Sequence, residues 1–133
     1  MTKLFENVKY NADISPGIQV VGVVNGAWID MQNFHEATFV IQTGTLGASG
    51  TINAKIEEAT DDIGTGASDI AAKFISTITT DDTSQYISVF TDDMDKNNNY
   101  RYLRAVVTIS VADSAMSVVS LRSEAHHAPV INT

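Results

Sequence analysis

The chain contains no cysteine, so a disulfide framework and a thiolate metal site are both excluded. Basic residues are scarce as well: eight Lys and Arg stand against sixteen Asp and Glu, which gives a formal net charge of -8. Binding nucleic acid through its phosphates requires a basic face, and we therefore expect no direct nucleic-acid partner. No apolar run is long enough to cross a bilayer and no signal peptide is evident, so we expect no membrane partner.

Leucine is also rare. It occurs four times, whereas isoleucine and valine occur 13 times each and threonine 14 times. Because β-branched residues fit the pleated surface of a sheet, this composition favours strands over helices. Apolar and polar residues alternate clearly at 36–43, 51–58 and 100–111, and turn-forming residues separate these segments. The spacing predicts an all-β fold: a single β-sandwich or jelly-roll-like domain of about seven to eight antiparallel strands.

We expect two parts in the chain. Residues 1–17 are polar and irregular and end in a Pro-Gly turn signal, which indicates an N-terminal arm or loosely packed leader. Residues 18–133 would form the β-sandwich domain with a C-terminal tail. A chain of 133 residues suits one such domain.

Three local patterns give further expectations. Asn25-Gly26 predicts the turn of a first hairpin, since both residue types tolerate positive φ. Asp113-Ser114 predicts the turn of a second hairpin. Residues 69–80 carry apolar side chains at helical spacing, so we expect a short helical turn that passes into a strand.

Asp93, Asp95 and Asn97 place oxygen atoms at alternate positions, as the start of an EF-hand calcium loop does. The later positions of that loop do not match, because Asn98 replaces its glycine and Arg104 its bidentate glutamate. A solvated turn is therefore the preferred interpretation, and the three residues remain a weak Ca²⁺ candidate. We predict no cofactor and no other metal site.

The pattern of His and acidic residues does not point to catalysis. The acidic pairs 61–62 and 81–82 lie among Thr, Ser and Gly, which is typical of solvated loops, and no G-x-S-x-G elbow occurs. We predict that the protein is not an enzyme and has no catalytic residues.

Aromatic and basic residues cluster near residue 100. Such alternation suits base stacking, but the acidic net charge favours cross-strand pairs between Arg and aromatic rings or carboxylates. The interaction candidates are these four residues and two histidines of the tail: Tyr100, Arg101, Tyr102, Arg104, His126 and His127.

Three segments resemble, in order and spacing, a family of small tailed-bacteriophage virion proteins. Residues 25–39 (NGAWIDMQNFHEATF) are similar to its G-x-x-x-D opening followed by an aromatic residue. Residues 100–107 (YRYLRAVV) are similar to its K-R-Y-L-R-L-V strand, and residues 126–130 (HHAPV) to its H-x-x-x-P-V tail.

The resemblance implies a non-enzymatic virion structural protein, most of all a capsid decoration or cement protein on the head surface. Its partner would be the major capsid protein, and the chain would form a homo-oligomer, with a trimer favoured. It would be assembled in the host cytoplasm and located on the virion. A head-tail connector or tail subunit is one alternative. A carbohydrate-binding β-sandwich that stacks sugars on Trp28, Tyr86 and Tyr100 is another.

Overall fold

The computed structural model describes residues 8–123, which form two antiparallel sheets packed face to face. Nine strands make up these sheets: β1 Lys9–Gln19, β2 Gly22–Asn25, β3 Ile29–Asp30, β4 Glu36–Leu46, β5 Thr51–Ala59, β6 Ser68–Phe74, β7 Ser84–Phe90, β8 Tyr102–Ser110 and β9 Ser114–Ser123. Two short 3₁₀ turns, Thr91–Asp93 and Lys96–Asn98, lie between β7 and β8. Within this part of the chain, no helix has the length and apolarity needed to span a membrane. The predicted all-β sandwich is confirmed.

The strand order is β1-β9-β4-β7 in one sheet and β2-β8-β5-β6 in the other, where β3 also pairs with β8. Strict alternation along the central strands sends every second side chain between the sheets. The largest side chains with almost no exposed surface come from both sheets and from Ile78 in the segment between β6 and β7: Phe39, Ile41, Ile52, Ile56, Ile78, Leu103 and Ile109. The apolar side chains that alternate along residues 36–43 and 51–58 therefore face the core.

The N-terminal segment differs from the expected arm. Lys9–Gln19 forms strand β1, which pairs with β9, and Ile14 is buried in the core. The alternation is hidden in the sequence because Asn11 and Asp13, both polar, are partly buried along this strand. Residues 9–17 thus belong to the sandwich, whereas residues 1–7 lie outside the described part of the chain.

Neither predicted hairpin forms. β2 and β3 pair with successive parts of β8. Asn25-Gly26 therefore lies in a break between two strands on the same side of β8 and does not reverse the chain. Gly26 donates its N–H to the Ala105 carbonyl at 2.8 Å, and a Cβ there would lie 3.2 Å from the same oxygen. A side chain here would require the neighbouring backbone to shift by a few tenths of an ångström, so the close approach favours glycine. β8 and β9 belong to different sheets, and the chain crosses between them after Val111, which has φ 73°.

The expected helical turn at residues 69–80 is also absent, since strand β6 covers Ser68–Phe74 and pairs with β5. Ala72 has φ 64°, a left-handed conformation that shifts the alternation of the extended chain. Ile70 and Ile78 are buried while Phe74 is 68% exposed. The four-residue spacing of these three side chains therefore does not mark a helix face.

Candidate interaction site

The two motif segments at residues 25–39 and 100–107 meet in space. β3 pairs with the start of β8, which sets Asp30 opposite Tyr102. Arg101 donates from Nε and Nη2 to the two carboxylate oxygens of Asp30 at 3.0 and 2.9 Å, a bidentate ion pair. The hydrogen bonds to Asp30, and then the one to the Tyr102 hydroxyl, raise the pKa of Arg101 above its usual value. The guanidinium thus stays charged and fixed in orientation.

Arg104 also forms an ion pair with a carboxylate, here through a single oxygen of Glu57. It donates to Glu57 Oε1 from Nε at 2.9 Å and lies 2.8 Å from the same oxygen through Nη2. Its guanidinium carbon sits 4.4 Å from the centre of the Trp28 ring, within cation–π range. Both arginines therefore make the cross-strand pairs that the acidic composition favours.

A loop at residues 60–67 packs against these aromatic residues. The Tyr100 hydroxyl donates to the Gly66 carbonyl at 2.7 Å. Gly64 has φ 86°, and a Cβ at this position would lie 3.1 Å from the Trp28 ring. Trp28 and Tyr100 are thus contact partners for the loop, and each is left only partly exposed.

Next to Arg101 lies an open cleft of about 530 Å³. Three apolar side chains of its lining, Met31, Phe34 and Met94, are nearly buried. The other lining residues are polar or charged: Gln32, Asn33, His35, Thr91, Asp92, Lys96, Tyr100 and Arg101. Lys96 pairs with Asp92 at 2.8 Å, and this hydrogen bond lowers the pKa of Asp92. A concave site that combines buried apolar side chains with oriented polar groups can take a ligand or a peptide segment.

The calcium candidates are sequence neighbours of Asp92, Met94 and Lys96, which line this cleft, but the candidate carboxylates face protein donors. Asp93 accepts from the Phe90 N–H at 2.9 Å and lies 3.4 Å from Lys73 Nζ. Asp95 accepts from the Asn98 side chain at 2.7 Å. Between residues 8 and 123, no group of three or more His, Asp or Glu side chains is placed to hold a metal ion. Calcium binding that involves Asn97 stays a prediction.

A buried polar cluster beneath the site was missed by the sequence reasoning. Arg122 donates to the Asp30 carbonyl and to Asn11 Oδ1, each at 2.7 Å, and its guanidinium lies 5.1 Å from the centre of the Phe34 ring. Burial lowers the pKa of Arg122. The alternation of β9 could have revealed it, since Arg122 shares parity with the buried Met116 and Val118.

The remaining candidates are two histidines of the tail and Tyr86. His126 and His127 fall outside the described residues. Tyr86 is 71% exposed on the outer face of the four-stranded sheet, far in the fold from Trp28 and Tyr100 on the other sheet. The three aromatic residues proposed for sugar stacking therefore do not share one surface.

The outer faces of the two sheets differ in charge. The five-stranded sheet carries the ion pairs of Arg104 with Glu57 and of Lys55 with Asp69. The outward positions of β1, β9, β4 and β7 include a single charged side chain, Glu36. We call this surface of the four-stranded sheet the neutral face. Charge depletion of this kind is typical of the core of protein interfaces.

No protein-family model matches the chain, and no curated protein matches it by sequence. Solved structures share its fold. The SPBc2 prophage-derived protein YomS is 10% identical with a TM-score of 0.54, over 92% of this chain and 97% of that one. The infectious bursal disease virus VP2 subviral particle is 11% identical with a TM-score of 0.59, over 91% of this chain and 33% of that one. The TM-scores show a common β-sandwich fold, and at identities this low the likeness extends to the fold alone.

Proposed function

We propose that this protein is a non-enzymatic structural component of a tailed-phage virion, specifically a capsid decoration or cement protein. The observation that carries the proposal is the contact between its two motif segments. Asp30 and Arg101 come one from each of the two segments that resemble phage virion proteins, and they form a bidentate ion pair. A likeness that covers nearly all of a prophage-derived protein's chain adds support at the level of fold.

The cleft beside Arg101 is the proposed contact with the major capsid protein. Its apolar lining and the exposed Lys96 suit an extended segment of that partner. A decoration protein occupies many equivalent sites on a shell, so individually modest contacts are sufficient when local concentration is high. The chain would act as a homo-oligomer on the virion surface, and the resemblance favours a trimer.

The test is the addition of purified protein to heads that lack it, followed by a heat challenge. We expect saturable binding in hundreds of copies and a higher temperature of head disruption. Failure to bind, or binding of about a dozen copies at one vertex, would contradict the decoration role and in the second case indicate a connector.

Two matched charge reversals examine the cleft. Lys96 and Lys55 are both exposed lysines that pair with an aspartate, at 2.8 and 2.9 Å. Lys96→Glu should weaken head binding at least about fivefold, because it places a negative charge at the cleft rim. Lys55→Glu should change binding less than about twofold, since Lys55 lies on β5 away from the cleft. Equal effects of the two reversals would remove the cleft from the proposal.

A further inference from the structure

Strand β7 is an edge strand that lacks the usual protection against pairing with another chain. Proline, charged side chains, bulges and short length normally block sheet edges. β1 contains Pro16 and two register shifts, β6 contains Asp69, Lys73 and one shift, and β2 has only four residues. By contrast, β7 has seven residues without proline, glycine or charge, and its register with β4 has no shift.

The hydrogen-bond pattern shows which backbone groups of β7 face outward. Thr43 donates to the Thr83 carbonyl at 2.8 Å, and Thr91 donates to the His35 carbonyl at 2.9 Å. Bonded and non-bonded pairs alternate along an antiparallel ladder, so the odd-numbered residues of β7 bond to β4. The even-numbered residues point their N–H and C=O groups away from the sheet: Ser84, Tyr86, Ser88 and Phe90.

One of these outward groups is already satisfied. The Phe90 N–H donates to Asp93 Oδ2 at 2.9 Å, so this N–H at the end of β7 is not available to a second chain. Across residues 8–123, the N–H groups of Ser84, Tyr86 and Ser88 have no such acceptor. The open stretch is symmetric about its centre, because a serine stands two positions to either side of Tyr86.

We propose that β7 pairs antiparallel with β7 of a second copy, with the two-fold axis at Tyr86. Ser84 then lies opposite the second copy's Ser88, and Tyr86 lies opposite itself. Each copy donates its three open N–H groups to carbonyls of the other, which joins the two four-stranded sheets into one continuous sheet. Such an interface is isologous and closed, so it produces a dimer.

The charge distribution favours a second copy as the occupant. Copies with a net charge of -8 repel one another, so they meet most readily along a strand that itself carries no charge, although Asp81, Asp82, Asp92 and Asp93 flank β7 at its two ends. β7 borders the neutral face, and its Tyr86 and Phe90 are 71% and 47% exposed. Across the axis the two Tyr86 side chains become directly opposed on this face, an arrangement that stabilises antiparallel strands.

The contact is small, and the dimer is therefore reversible. Seven residues at about 3.3 Å each give an edge of about 23 Å, so the buried area falls below the roughly 1,200 Å² typical of stable complexes. The dimer is populated at high local concentration. The inference does not depend on the virion role, and it conflicts with the trimer that the sequence resemblance favours.

Cysteine cross-linking of the full chain tests the geometry, because the protein has no cysteine of its own. Directly opposed residues in a bonded antiparallel pair have Cα atoms about 5.5 Å apart, within the range of a disulfide. Tyr86→Cys should form a disulfide-linked dimer under mild oxidation at least about ten times faster than Tyr10→Cys. Tyr10 is the control because it is exposed on the same face at the opposite edge. Equal rates would overturn the proposal.

Sedimentation of the same chain provides a second measurement. The wild type should move from monomer to dimer between about 10 and 300 µM, the range of a small reversible interface. Tyr86→Lys should remain monomeric with an unchanged circular dichroism spectrum, while Tyr10→Lys should behave as the wild type does. A wild-type monomer throughout, a trimer, or a dimer that persists in Tyr86→Lys would each overturn the pairing.

Discussion

At the scale of single residues, Asp13 is the clearest conflict between burial and charge. Burial raises its pKa from 3.8 to about 6, although Ser120 and Arg122 nearby act in the opposite direction. Both carboxylate oxygens are buried without a completed hydrogen bond among the described residues. The protonated form therefore fits the fold better than the carboxylate does.

This conflict makes the stability of the protein depend on pH. Between about pH 4 and pH 6 the folded state binds the Asp13 proton more tightly than the unfolded state, so stability falls as pH rises through this window. Asp13→Asn should raise the free energy of unfolding by about 1 to 2 kcal/mol at pH 7.5 and by almost nothing at pH 4. Urea unfolding at both pH values measures the difference. A matched Asp62→Asn substitution at an exposed position should show no such pH-dependent gain.

The sequence predicted the residue types of the site but not its partners. Arg101 and Arg104 were expected to pair with carboxylates or aromatic rings, and they do so. Their partners Asp30 and Trp28 lie about seventy positions earlier in the chain. Only the pairing of β3 with β8 brings them into contact, and a local pattern contains no information on which distant strands pair.

At the scale of elements, β1 shows how an edge strand can look irregular in sequence. Its inward positions include polar side chains, and its ladder with β9 shifts twice. Ile14 is nevertheless 6% exposed, whereas Ile18 in the same strand is 77% exposed. Substitutions at these two isoleucines can therefore test whether β1 is an integrated strand of the sandwich or a loosely packed leader.

Ile14→Ala should reduce the free energy of unfolding by about 2 to 4 kcal/mol, because it removes a buried side chain and leaves a cavity. Ile18→Ala should cost less than about 0.5 kcal/mol, since its side chain is exposed. Chemical denaturation of the two variants provides the comparison. A cost below about 0.5 kcal/mol for Ile14→Ala would mean that β1 contributes little to the sandwich.

Strands were predictable where one face is mostly apolar. β4, β5 and β8 show this pattern, and each contains the inward residues that the alternation indicated. The errors arose where a local signal has two structural uses. Asn25-Gly26 fits a turn and also a close backbone approach, and only the position of Ala105 decides between them. The turn at 113–114 likewise does not reveal that the chain changes sheets.

At the scale of the whole molecule, charge is distributed unevenly over a chain whose net charge is -8. The ion pairs described above lie on the five-stranded sheet and at the cleft, and the neutral face carries one charged position, Glu36. This asymmetry gives the protein two distinct surfaces. One suits contacts with a partner of different chemistry, and the other suits contacts between copies.

The proposed dimer should respond to salt. Pairing through β7 brings Asp81 and Asp82 of each copy toward Asp92 and Asp93 of the other, and both copies carry a net charge of -8. Raising NaCl from about 50 to 500 mM shortens the Debye length to a few ångströms, so the dissociation constant should fall several-fold. Sedimentation equilibrium at the two salt concentrations measures this. A constant that rises with salt would contradict the role assigned to these carboxylates.

The proposed decoration role requires that the protein lie on the outer surface of the head. Under the proposed role, electron cryomicroscopy of virions that contain this chain, compared with virions made without its gene, tests this most directly. We predict difference density for hundreds of copies on the outer surface of the head. Intact wild-type virions without such density, or with density only as a ring at the head-tail junction, would contradict the decoration role.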